Sequence, residues 1–209
     1  MFENKTIMKN TPPDKIRKLL SSKEPKLRVY TFQHIDALKA FENNDIYYPK
    51  ESVIFKNPED KMVFSRSYKW MKKQMAERLP DYSGKMPVWV WVEQPGNVSV
   101  QRRFGRNQVK ITALVDKSRL LLSDFEFWHT VLNDYYMTMS PTEEAKVDSG
   151  KFVPTQEDKE KRWEMIFDLT TPSKAVLDHV WGQPYNGRCI QGCLDGLYFS
   201  EIENIKVYD

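Results

Sequence analysis

Residues 86–93 read MPVWVWVE, and the alternation inside this stretch decides the fold. In an extended chain successive side chains point to opposite faces, so Trp89 and Trp91 share one side while Val88, Val90 and Val92 share the other. Both faces are apolar, which predicts a central strand covered from two sides. Two readings of the tryptophan face follow. It packs as core against a neighbouring helix, or it forms an aromatic wall facing a ligand.

The neighbouring helix is the clearest in the chain. Residues 64–79, FSRSYKWMKKQMAERL, place Tyr68, Met71, Met75 and Leu79 on one face and Lys72, Lys73, Glu77 and Arg78 on the other, with Ser65 or Ser67 as the N-cap. Upstream, residues 27–33 are rich in β-branched and aromatic residues and predict a strand, followed by helical spacing at Ile35, Leu38 and Phe41. Residues 1–26 read as a peripheral extension with a proline-initiated helix at residues 14–20, and residues 27–209 as the domain proper.

Downstream, strands are predicted at residues 98–103, 109–115 and 120–122, then a helix capped by Asp124. Residues 138–159 are polar and interrupted by proline, and read as a loop or insertion. KEKRWEMIFDL predicts a helix with Trp163, Ile166 and Phe167 inward, SKAVLDHVW a further turn or two, and the C-terminal segment two strands. Helices and strands mix without a βαβ repeat, so the class is α+β, a single domain with a mixed or antiparallel sheet and covering helices.

The chain has 209 residues and a near-balanced charge, 32 basic against 29 acidic residues, which leans only slightly toward an anionic partner. With Cys189 and Cys193 as the two cysteines, no leader-like segment and no apolar run of bilayer length, the sequence points to a cytoplasmic, non-membrane protein. His34, His129 and His179 lie far apart and the cysteine spacing lacks partners, so no metal site is expected. Asp124 and His129 are five apart, a poor spacing for a helical dyad.

Residues 101–110, QRRFGRNQVK, gather Arg102, Arg103, Arg106 and Lys110 around Phe104. Arginine forks grip phosphates and an exposed ring stacks on a base, so this tip suits single-stranded nucleic acid, with a merely solvated hairpin as the alternative.

Taken in order, YTFQ at 30–33, SYKWMKKQM at 67–75, PVWVW at 87–91, LLSDFEFWHTVLN at 121–133, RWEMIFDL at 162–169 and CIQGCLDGL at 189–197 resemble a bacterial and phage family catalogued as a domain of unknown function. The resemblance spans residues 27–208 and implies no activity. The layout is also distantly similar to ADP-ribosyltransferases, which open on a strand with a polar NAD-contacting residue, set Ser or Tyr at the head of a helix, and end on strands bearing a catalytic glutamate. That similarity implies NAD as cofactor, held by Thr31, Gln33 and Tyr68, with Tyr68 and Gln191 at the catalytic position and a nucleic-acid or protein acceptor, as in a toxin or phage–host conflict factor. Gln191 stands where the family has glutamate, and it supplies no charge to an oxocarbenium-like centre; Asp195 lies four residues on. The rival from another class is a non-enzymatic protein- or nucleic-acid-binding module using the basic tip.

Overall fold

The computed structural model describes residues 13–43, 45–92, 107–170, 172, 174–181 and 189–208. Within them the strands are β1 (Lys26–His34), β2 (Ile46–Tyr47), β3 (Val88–Val92), β4 (Gln108–Asp116), β5 (Leu120–Asp124), β6 (Ile190–Leu194), β7 (Leu197–Tyr198) and β8 (Ile202–Tyr208). The helices are α1 (Pro13–Ser21), α2 (Leu38–Asn43), α3 (Glu51–Ile54), α4 (Pro58–Arg78), α5 (Phe125–Leu132), α6 (Pro141–Asp148), α7 (Gln156–Trp163) and α8 (Lys174–Trp181). Six strands form one sheet in the order β5-β6-β3-β1-β4-β8, every neighbouring pair antiparallel, and β2 pairs with β7 beside it. The class is α+β, a single domain.

The strand at the heart of MPVWVWVE is β3, flanked by β1 and β6 as a central strand should be. Its three valines are buried, and they join Val29, Val109, Ile111, Leu194 and the side chains of Leu38 and Phe41 in the apolar layers on the side toward α2. On the side toward α4, Trp89 lies 4.8 Å from Trp128 and 6.4 Å from Tyr68, ring centre to ring centre. Trp91 meets Phe125 at 4.8 Å. Both tryptophans therefore pack as core against helices, and the first of the two readings holds.

Coverage is uneven along the sheet. β6 is buried on both faces and β5 nearly so, whereas β4 alternates strictly between buried and half-buried positions. Trp70, Met71 and Met75 of α4, Phe127, Trp128 and Val131 of α5, and Trp163 and Ile166 build a core together with Leu121, Trp89 and Cys193. Among the described residues, none of β1, β4 or β8 joins that second core. Among the described residues, one side of the β1–β4–β8 half is packed in an apolar cluster and the other is not.

The helix boundaries differ from the sequence reading in several places; the helix read over 159–169 is α-helical only to Trp163, with a 3-10 turn at Glu164–Phe167. The long helix starts at Pro58, not near Phe64: Asn57 accepts a hydrogen bond from the Asp60 N–H, proline stands in the first turn, and Glu59 and Asp60 favour the positive end of the helix. Ser67, a candidate cap, is instead buried and donates to the Val131 carbonyl at 2.7 Å. Residues 138–159 hold α6 and the start of α7 rather than a loop. Ser140 caps the first, Thr155 and Asp158 form a reciprocal capping box on the second, and Arg162 ties them together through Glu143 at 2.8 Å. Asp124 caps α5, as expected, accepting from the N–H groups of Glu126 and Phe127. The N-terminal helix α1 sends Ile16 into contact with Val92, Leu169 and Ile190, where it is 1% exposed.

Candidate functional site

Of the residues expected to hold NAD, Thr31 and Gln33 meet each other, and Tyr68 lies on the other side of the sheet. Tyr30 pairs with Trp91, and Trp91 pairs with Gln191, so these three share one face of the sheet, the side toward α4. Thr31 and Gln33 stand at odd offsets from Tyr30 on the same strand and therefore point to the opposite side. Strand parity puts Thr31 and Gln33 on the opposite side of the sheet from Gln191, and Tyr68 packs on Trp89 of that other side.

Each member has other employment. The Thr31 hydroxyl donates to the Trp89 carbonyl at 2.7 Å, Gln33 Nε2 donates to Thr31 Oγ1 at 2.8 Å, and Tyr47 donates to Gln33 Oε1 at 2.9 Å. These bonds stitch β1 to β3 and to β2, and burial pushes the Tyr47 hydroxyl up to about 12. Tyr68 is boxed edge-on by Phe55 at 5.4 Å and Trp128 at 5.9 Å. Burial, reinforced by Cys193, pushes its hydroxyl up to about 12, with the Trp89 indole opposing. Asp195, the acid nearest Gln191 in sequence, accepts from the Ser83 hydroxyl at 2.6 Å and the Ser83 N–H at 2.7 Å, and so fixes a turn. His129 lies against Phe125 and 3.5 Å from Glu126, while Asp124 is engaged in its cap.

Gln191 and Ser123 sit directly opposite each other on β6 and β5, and among the described residues Gln191 Nε2 and Ser123 Oγ meet no hydrogen-bond partner. Cys189 and Cys193 are free and buried. Burial, helped by the carboxylates of Asp124 and Glu126, pushes the Cys189 thiol up to about 12, and burial alone pushes Cys193 well up. The neutral thiol is the folded form. Its contribution to stability is therefore complete below the ordinary thiol value of 9.0 and lost as pH rises toward about 12. Near pH 8 (about one unit below that value), iodoacetamide should leave both thiols unmodified in the native protein and alkylate both in denaturant, read by intact mass. Alkylation at equal rates in the two states would contradict this burial.

A different constellation lies on the half of the sheet that the second core leaves uncovered. On the side toward α4, β1 presents Arg28, Tyr30 and Phe32, β4 presents Gln108, Lys110 and Thr112, and β8 presents Asn204, Lys206 and Tyr208, in register across the three strands. Among the described residues, none of these side chains enters an apolar cluster. Tyr30 and Phe32 meet edge-on at 5.6 Å. Lys110 Nζ lies 4.3 Å from the centre of the Tyr30 ring and Lys206 Nζ 5.1 Å from that of Tyr208. Arg28 is paired with Glu203 at 2.7 Å, whereas neither lysine meets a carboxylate among the described residues.

Of the basic stretch, Arg102, Arg103, Phe104 and Arg106 lie outside the described residues, and so does the strand expected at 98–103. β3, which ends at Val92, and β4, which begins at Gln108, are the two strands that flank β1. Lys110, the last cation of the stretch, is on the half-buried face. Sequence reasoning missed Arg28, Tyr30, Phe32, Lys206 and Tyr208. Their signal was the alternation itself, since RVYTF and IKVY place cations and rings on every second residue.

Among the described residues no group of three or more His, Cys, Asp or Glu side chains could hold a metal ion, and no helix is long and apolar enough to cross a membrane. A family model described as Domain of unknown function (DUF3841) matches residues 28–182. The chain belongs to this family. The match takes in β1 through α8 and stops short of β6 and β8. No curated protein and no solved structure matches the chain, and nothing supports an ADP-ribosyltransferase fold.

Proposed function

We propose that the protein is a non-enzymatic module that binds single-stranded nucleic acid on the half-buried face of β1, β4 and β8. The observation that carries the reading is the register that gathers Tyr30, Phe32 and Tyr208 with Lys110 and Lys206 on the side of the sheet left out of the core. Flat rings accept bases of any sequence by stacking, and lysines beside them meet the backbone phosphates. Arg102, Arg103, Phe104 and Arg106, joined to β4 in sequence, extend the same chemistry. Thr31 and Gln33 stand on the opposite side of the sheet from Gln191 and Tyr68, which favours binding over NAD-dependent transfer as the reading.

The test is fluorescence anisotropy with a labelled oligonucleotide across a salt series. The Lys110→Ala/Lys206→Ala double variant removes two ammonium groups that would each neutralise a phosphate, and it should flatten the plot of log affinity against log salt by about 1.4. Absence of binding at about 50 mM salt, where counterion release favours association most, would defeat the proposal.

A further inference from the structure

We infer that the groove between α4 and α7 is a second binding site, for a phosphate-rich anion of di- or triphosphate size. The groove encloses ≈ 470 Å³ and is lined by Ser65, Arg66, Lys69, Trp70, Lys73 and Glu160. That volume falls in the range of small-ligand sites, which begins at about 300 Å³.

Residues 66, 69 and 73 fall at helical spacings of three and four, so α4 holds three cations on one stripe. Like charges so placed repel. Here Arg66 is anchored by Asp134 Oδ2 at 3.0 Å and Gln156 Oε1 at 3.2 Å, which points its remaining N–H donors without consuming them. Asp134 is shared with Lys159 at 3.0 Å, so it does not neutralise both cations. Lys69 and Lys73 are exposed and meet no carboxylate among the described residues. Glu160, the acid on the opposite wall, is held by Gln156 Nε2 at 3.2 Å.

The floor is Trp70, 3% exposed, with its ring stacked on Phe167 at 5.8 Å. A ring so buried offers no free face to a base. Recognition therefore runs through ammonium and guanidinium groups and the Ser65 hydroxyl, and the phosphates are what the groove takes. No residue is shared with the β1–β4–β8 face.

Isothermal titration of the full chain with inorganic triphosphate, against sulfate at matched ionic strength, decides the matter. Triphosphate should bind at one site and more tightly than sulfate. Lys69→Gln/Lys73→Gln should weaken it about tenfold, and Tyr30→Ala/Phe32→Ala should leave it unchanged. Should the lysine double variant fold poorly, Glu160→Gln, which removes the acid of the lining, should tighten binding about twofold to threefold. Equal affinity for sulfate and triphosphate, unchanged affinity in a folded lysine double variant, or no gain with Glu160→Gln would each overturn the assignment.

Discussion

Trp163→Ala will destabilise the protein by about 3–5 kcal/mol, the largest loss expected from any single truncation here. The side chain is 0% exposed and stands edge-on to Trp70 at 5.5 Å. Its indole N–H donates to the Tyr135 carbonyl at 2.7 Å, which fixes the irregular segment after α5 to the end of α7. Truncation removes the ring's transfer free energy, leaves a void between α4 and α7 that close-packed neighbours cannot fill, and orphans a carbonyl. Against a total stability of about 5–15 kcal/mol, that loss brings the native state near its threshold. Trp163→Phe separates the parts: it retains most of the packing and gives up the hydrogen bond, for about 1–2 kcal/mol. Urea titration followed by tryptophan fluorescence and by circular dichroism reads both. A shift under about 1 kcal/mol for Trp163→Ala would mean that this cluster is not what holds α7 in place.

Local patterns were legible where they are sufficient. Val88 to Val92 and the Asp124 cap follow from periodicity and capping chemistry alone and stand as read, whereas of the trio Trp163, Ile166 and Phe167 only Trp163 is α-helical, Ile166 and Phe167 lie on a 3-10 turn, and Phe167 is only partly buried. The start of α4 escapes a reading by periodicity because its first turn is polar and Met62 and Val63 of the next are exposed, so the buried stripe begins late. The signature NPED, a cap followed by proline and two acids, is the better guide. The same bias turns residues 138–159 into a loop. Their two helices are each 8 residues long and short of apolar side chains, so caps and the Glu143–Arg162 pair supply what a buried stripe supplies elsewhere.

The site was less legible, for a reason that lies in sheets. Whether Gln33 and Gln191 face the same way depends on register across β1, β3 and β6, three strands drawn from residues 26 to 194. A shift by one residue reverses the answer, and nothing local to either glutamine encodes it. Polar residues on a strand invite a ligand-facing reading, yet Thr31 is 3% exposed, its hydroxyl donating to the Trp89 carbonyl and accepting from Gln33, which Tyr47 of β2 holds in turn. The half-buried face, by contrast, is written in the alternation of β1 and β8. Its meaning emerges only with β4 placed between them and the second core leaving them out.

Tyr30→Ala/Phe32→Ala will weaken binding to a single-stranded oligonucleotide by at least about thirtyfold, since each stacked base contributes about 1–3 kcal/mol. The two rings are half-buried and contact each other at 5.6 Å, so their loss removes about 1 kcal/mol of ring–ring attraction from the fold, together with some apolar area. A melting curve distinguishes that modest cost from unfolding. The informative quantity is the salt dependence. Every cation remains in this variant, so log affinity should fall with log salt at the wild-type slope while the whole line drops. Lys110→Ala/Lys206→Ala should instead change the slope. Stacking and counterion release are thereby separated on one face of one sheet. Affinity within about threefold of wild type, in a variant that still melts cooperatively, would show that the rings serve only the fold and would move the nucleic acid off this surface.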